Sequence, residues 1–146
     1  MTKPFIIAEV GSNFDQSLVK AKKYISVAQQ SGADAVKFQL FSGKILYPND
    51  LKMQKIFNSI ELNIEWVDKL LKYSKSKKIK LFFSCFDQSR LKFLIKKGFS
   101  DHKIASSEIE NINIFNIINK KKFKIFLSTG MSDLDDIKKA YKKLNR

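Results

Sequence analysis

Five short apolar runs recur along the chain, each carrying a polar group within it or at its end. They are Ile6-Ile7-Ala8-Glu9, Ala35-Val36-Lys37-Phe38-Gln39, Leu81-Phe82-Phe83-Ser84, His102-Lys103-Ile104-Ala105-Ser106-Ser107-Glu108 and Ile125-Phe126-Leu127-Ser128. Apolar runs this short, bounded by turn and polar residues, read as buried strands. Helix-like stretches lie between them, and strands alternating with helices imply an α/β fold with a parallel sheet. In such sheets the chemistry gathers at the carboxyl ends of the strands. One repeated layout therefore constrains both the fold and the place of the site.

Taken in order, strand one covers 5–10 and Gly11 breaks it. Asp15 or Ser17 caps a helix to about Ser31, with Leu18, Ala21, Tyr24, Ile25 and Ala28 as its apolar stripe. Strand two covers 34–40. The stretch from Ser42 to Asn63, with Gly43, Pro48 and Asn49, reads as an extended loop holding one irregular helical turn near 53–57. Long βα loops carry function or cover a site. Asn63 caps a helix to Lys77, with Trp66, Val67, Leu70 and Leu71 inward. Strand three covers 79–84, and Asp87 caps a helix that stops at Gly98. Strand four covers 102–105, a short helix 112–119, and strand five 123–128. Ser132 caps the final helix, whose first turn holds Asp133, Asp135 and Asp136 and whose later turns hold lysines. The expected unit is βα, five times over, with no linker and no low-complexity tract.

The chain has 146 residues, a size expected for one domain, and 13 Phe supply apolar material for a core. The single cysteine, Cys85, forbids an intramolecular disulfide and fits a reducing compartment. No apolar run nears the roughly 20 residues of a membrane span. The N-terminal run is too short for a signal peptide. These features imply a soluble cytoplasmic protein. The net charge of +14 could recruit nucleic acid or an anionic membrane. Base readout leans on arginine forks, however, and the only arginines are Arg90 and Arg146. The lysines fall on helix faces and helix C-termini, so the expectation is neither a nucleic-acid nor a membrane partner.

Within strand two, Lys37 and Gln39 lie on one side and Val36 and Phe38 on the other. A lysine inside a buried strand is costly unless it is paired, or unless its stem lies along the core while its amine reaches water. Lys103 raises the same alternatives at the start of strand four. Two such lysines with several hydroxyls suit a small polyanion such as a phosphate. At an effective dielectric of about 20, opposite charges about 4 Å apart attract by roughly 4 kcal/mol before desolvation. Glu9 and Glu108 are the candidate carboxylates. They could serve as acid or base, orient water, sit near a metal, or only pair with the lysines. The serines could equally cap or turn the backbone. His102, the only histidine, reads as a residue at the strand entrance, on the face opposite the site. Cys85 reads as packing. No nucleophile elbow and no glycine-rich phosphate loop occurs.

Four motifs in order resemble the N-acetylneuraminate (sialic acid) synthase family, which also makes legionaminic and pseudaminic acids. They are Phe5-Ile6-Ile7-Ala8-Glu9-Val10-Gly11-Ser12-Asn13, Gly32-Ala33-Asp34-Ala35-Val36-Lys37-Phe38-Gln39, His102-Lys103-Ile104-Ala105-Ser106-Ser107-Glu108-Ile109 and Leu127-Ser128-Thr129-Gly130-Met131. The resemblance implies a TIM (β/α)8 barrel, usually followed by an antifreeze-like domain. It implies an enzyme that condenses phosphoenolpyruvate with an open-chain N-acylated hexosamine, giving a nine-carbon 2-keto sugar acid and phosphate. A divalent metal, Mn or Mg, activates the sugar aldehyde in that family. Carried over, Lys37 and Lys103 bind the phosphate and carboxylate of phosphoenolpyruvate, and Ser106 and Ser128 hydrogen-bond it. Ser84 stands where the family has a threonine, and Gln39 is a further contact. Glu9 lies by metal and sugar, and Glu108 by the reacting carbons and water.

The family pattern differs at Phe14-Asp15-Gln16, at Ser84-Cys85 in place of threonine-proline, and in a shorter loop after strand two. These departures bear on the sugar more than on phosphoenolpyruvate. A full barrel takes about 250 residues. The resemblance therefore implies that residues 1–146 form the N-terminal portion of the barrel, about five βα units of a partial (β/α)8 fold. The later strands, their two metal-binding histidines and the antifreeze-like domain would lie elsewhere, and no metal is expected on this chain alone. A truncated or split synthase is the first expectation, with the missing half or a homodimer as partner. The alternative is a non-catalytic remnant or partner subunit.

Overall fold

The structure, a computed structural model, describes residues 3–118 and 123–144. Its strands are β1 (Ile7–Gly11), β2 (Ala35–Leu40), β3 (Lys80–Cys85), β4 (Asp101–Ile104) and β5 (Lys124–Leu127). Its α-helices are α1 (Leu18–Gln30), α2 (Gly43–Leu46), α3 (Leu51–Asn58), α4 (Trp66–Ser76), α5 (Gln88–Lys96), α6 (Ile112–Ile118) and α7 (Leu134–Leu144). A 3-10 turn covers Ser106–Glu108. The strands form one sheet in the order β1-β2-β3-β4-β5. β1 pairs in parallel with β2, and β4 in parallel with β5. Sequential order and parallel pairing are what successive βα units produce, so the expected partial (β/α)8 topology is the one observed.

The chain divides into two compact units, Met1–Phe83 and Ser84–Arg146. In the first, α1 buries Ala21, Ile25 and Ala28 and packs on α4, which buries Val67 and Leu70. Ser17 caps α1 by accepting from the Lys20 main-chain N–H, at 3.2 Å. The Phe14 ring lies 6.1 Å from Phe38 and 6.4 Å from Trp66, so the loop after β1 is anchored into the core behind β2. Both faces of β2 are covered, and Val36 and Phe38 are fully buried.

The stretch after β2 is more ordered than its Pro and Asn content implies. Two helices occupy it, and α3 runs for 8 residues from Asp50, whose carboxylate accepts from Met53 N. Tertiary contacts fix this segment: the Phe57 ring lies 4.6 Å from Tyr47 and 5.5 Å from Phe41. Gly43 sits so close to α3 that a Cβ would stand 2.5 Å from Asn58 Oδ1 and 2.9 Å from Asn58 N. The next helix starts later than expected. Asn63 Oδ1 accepts from Glu65 N in a turn ahead of Trp66.

In the second unit, Asp87 caps α5 as expected, accepting from Arg90 N at 2.9 Å. Leu91 and Leu94 of α5, Ile114, Phe115 and Ile118 of α6, and Ala140 of α7 supply its core. The expected end of α6 at Asn119 lies outside the described residues. The last helix differs in its cap. Asp133, not Ser132, accepts from Asp135 N at 2.8 Å and Asp136 N at 2.9 Å, while Ser132 Oγ is buried without a hydrogen-bond partner. The Asp133 carboxylate reaches both helical N–H groups, and its pKa is lowered, chiefly by the bond from Asp136 N.

Candidate functional site

The sequence-derived residues fall into two sets, one in each unit. In the first unit, the parallel register of β1 and β2 sets Glu9 opposite Lys37. The two form an ion pair in which the lysine side chain is 8% exposed and the carboxylate 51% exposed. A cation inside a covered strand needs such a partner, and the carboxylate is near enough to water to avoid most of its own desolvation. A bulge between Glu9 and Gly11 ends β1, and Gly11 takes φ +60. A Cβ there would stand 3.4 Å from Glu9 Oε1 and 3.9 Å from Gln39 Cδ. Glycine thus lets the strand end pass close under two site side chains. Gln39 is fixed in turn, its Oε1 accepting from Ser12 Oγ at 3.0 Å. Ser12, within the first motif, is thus the residue that orients Gln39.

The same unit holds a polar cavity of about 490 Å³, lined by Gln16, Ser42, Lys44, Asn58, Glu61 and Asn63 among others. The Gln16 carboxamide donates to Glu61 O at 2.5 Å, and Glu61 Oε2 accepts from Gly43 N at 3.0 Å. Much of this lining therefore braces the loop after β2.

In the second unit, β4 and β5 pair Lys103 with Phe126 and Ile104 with Leu127. Lys103 reaches past the strand end, donating to Ile104 O at 2.8 Å and to the Ser128 hydroxyl. Ser128 N donates to Ile104 O at 3.1 Å, which fixes the serine beside the end of β4. Ser106 opens the 3-10 turn and Glu108 closes it, both half-buried. Glu108 Oε2 accepts from Asn111 Nδ2 at 2.7 Å. Asn111 was missed by sequence reasoning, although its i,i+3 spacing from Glu108 was a usable sign. Ser84 lies near the end of β3, 2% exposed.

Two bland readings of the sequence agree with the geometry. Cys85 is buried and its thiol is pushed up by burial, which makes it inert packing. His102 neighbours Lys103 in β4, so their side chains leave opposite faces. The imidazole is 2% exposed and stands edge-on to Phe123, with ring centroids 4.8 Å apart. Burial holds its pKa down; the Phe99 main chain and the Asp101 carboxylate oppose this, but neither ring nitrogen completes a hydrogen bond.

Among the described residues, no group of three or more His, Cys, Asp or Glu side chains comes together to hold a metal ion. Those residues do not by themselves make up the ligand set of a resident divalent metal. Among them, too, no helix is long and apolar enough to cross a membrane.

A scaffold of successive βα units in one sheet defines a partial (β/α)8-barrel protein. Residues 24–146 match the NeuB family, and the chain belongs to it. It is 33% identical to the N,N'-diacetyllegionaminic acid synthase of Legionella pneumophila over 93% of this chain and 42% of that one. It is 34% identical to the synthase of that name from Campylobacter jejuni over 96% of this chain and 46% of that one. The crystal structure of the N-acetylneuraminic acid (sialic acid) synthetase of Leptospira borgpetersenii superposes with a TM-score of 0.93, at 27% identity, covering 99% of this chain and 50% of that chain. The chain thus spans less than half the length of the curated relatives it matches.

Proposed function

We propose that this chain contributes the N-terminal βα units of a sugar-acid synthase that condenses phosphoenolpyruvate with an N-acylated hexosamine of the N-acetylmannosamine type. The product is a nine-carbon 2-keto sugar acid, with release of phosphate. The observation that carries the proposal is the Lys103–Ser128 contact at the ends of β4 and β5, in a chain of the NeuB family. An ammonium beside a hydroxyl offers a point charge and a directed donor, which suits a phosphate or carboxylate oxygen.

In this reading Lys103, Ser106 and Ser128 bind phosphoenolpyruvate, as does Ser84. Glu108 serves the reacting carbons and the attacking water. Lys37 is a second anion-binding cation, Glu9 compensates its charge and faces the sugar, and Gln39 is a polar contact. Holding a reactant against such fixed groups removes much of the entropic barrier to bond formation. A divalent metal, if the reaction uses one, takes ligands that the described residues do not supply as a cluster.

The test combines this chain with the carboxyl-terminal barrel segment of the Legionella relative. Phosphate release from phosphoenolpyruvate is followed with N-acetylmannosamine or a diacetamido hexosamine, with Mn or Mg present. Sugar-dependent phosphate release is expected. A folded assembly that releases no phosphate with any of these sugars contradicts the proposal.

A further inference from the structure

We propose that Asn111 is a positioning residue for the Glu108 carboxylate, a role distinct from capping a helix. The inference rests on the reading of Glu108 as a group that serves the reacting centre. Asn111 makes two opposed side-chain contacts. Its Nδ2 donates to Glu108 Oε2 at 2.7 Å, and its Oδ1 accepts from Ile114 N at 3.3 Å. The main chain closes the same corner, with Asn111 N donating to Glu108 O at 3.0 Å. Ile109, Ile114 and Phe115 are all buried on either side of it. The carboxylate is thereby tied to a turn that the core already holds in place.

The chemistry of the residue type carries the argument. A helix cap needs only an acceptor, and Ser or Asp serves as well as Asn. An Asp here would set a second carboxylate against Glu108, and a Ser has no amide donor to reach it. An amide of this length can accept from the Ile114 N–H while donating to Glu108. The orientation of the amide is fixed by the same pair: exchanging O and N would oppose two oxygens at Glu108 and two donors at Ile114. Asn111 engages only Oε2, so Oε1 can take a second partner. A glutamate side chain otherwise samples many rotamers, and holding it in one is what a supporting residue supplies to a reacting group.

The test uses Asn111→Ser and Asn111→Asp, each of which keeps an acceptor for Ile114 N. The first readout is made on the chain itself: the Glu108 side-chain rotamer, from NMR couplings, with protection of the α6 amides as the control for the cap. One rotamer in the parent and averaging in both variants, with α6 protection kept, is expected. The second readout is turnover in the assembly with the relative's barrel segment. There kcat should fall about 10–100-fold in both variants, more in Asn111→Asp, the range seen when supporting residues are removed. KM for phosphoenolpyruvate should stay within about twofold, the pattern of a group that acts in the chemical step. The proposal is overturned if Glu108 keeps its single rotamer in both variants. It is also overturned if Asn111→Ser turns over normally while Glu108→Ala does not. Normal turnover by Glu108→Ala removes the underlying reading of Glu108, and this inference with it, whatever the rotamer shows.

Discussion

The two lysines within apolar runs read alike in the sequence, but the two units hold them differently. Lys37 sits in the middle of the six-residue β2, directly opposite Glu9, and the pair cancels its charge where the strand is covered on both faces. Lys103 sits near the end of the four-residue β4 and reaches beyond it to a carbonyl and a hydroxyl. Both of those contacts are hydrogen bonds that direct the ammonium toward the strand end. The difference follows from position in the strand: the register sets Lys37 beside Glu9, while Lys103 lies one residue from the end of β4 and can turn toward the loops. On the proposed function, an amine beside a hydroxyl near a strand end is placed to meet a ligand, and one tied to a carboxylate inside a covered strand first answers a demand of folding.

Four measurements test this contrast. Lys103→Ala should show the largest effect, on binding: a hydrogen bond to a charged group contributes about 1.5–3 kcal/mol, so phosphoenolpyruvate affinity by calorimetry should fall tenfold or more. An unchanged affinity would remove the role assigned to that lysine. Glu9→Gln should act first on folding, lowering denaturant-measured stability by about 1–3 kcal/mol through the buried partner it leaves. An effect on ligand binding without any loss of stability would reverse the contrast drawn here.

The third measurement is a pH dependence that belongs to the second unit, where the only histidine lies. The folded-state pKa of His102 is lowered from its ordinary 6.5, so the unfolded chain binds the extra proton more readily. Stability contributed by the neutral imidazole is whole above that value and is lost as pH falls below it. His102→Phe should flatten this part of the urea-stability profile, and a variant with the parent's profile would show that the imidazole is not its source. Ser128→Ala should be smallest, about 1 kcal/mol, because the half-buried ammonium keeps the Ile104 carbonyl as an acceptor. A loss as large as that of Glu9→Gln would mean that Lys103 depends on Ser128 as heavily as Lys37 depends on Glu9.

The strands were legible because each is a short apolar run with a defined end, and so were the Ser17 and Asp87 caps, where one candidate stood at the right place. The last cap was not, because Ser132 and Asp133 are adjacent and only the longer carboxylate arm bridges two N–H groups. The helices after β2 were hidden for another reason: Pro48 and Asn49 signal a loop, whereas the contacts of Phe57 with Phe41 and Tyr47 that order it are tertiary. Of the site, charged residues inside apolar runs were legible from their cost. Ser12 was not, since a single polar residue past a strand has no pattern until a turn brings it within reach of Gln39, and Asn111 showed only an i,i+3 spacing from Glu108 that many surface pairs share.

The most direct test of the account is an NMR titration of the isotope-labelled chain with phosphoenolpyruvate. Saturable shifts centred on Lys103, Ser106 and Ser128 are expected, with the lysine ammonium among the signals that move most. Shifts confined to the cavity bounded by Gln16 and Asn58, or no saturable shifts in a folded chain, would contradict it.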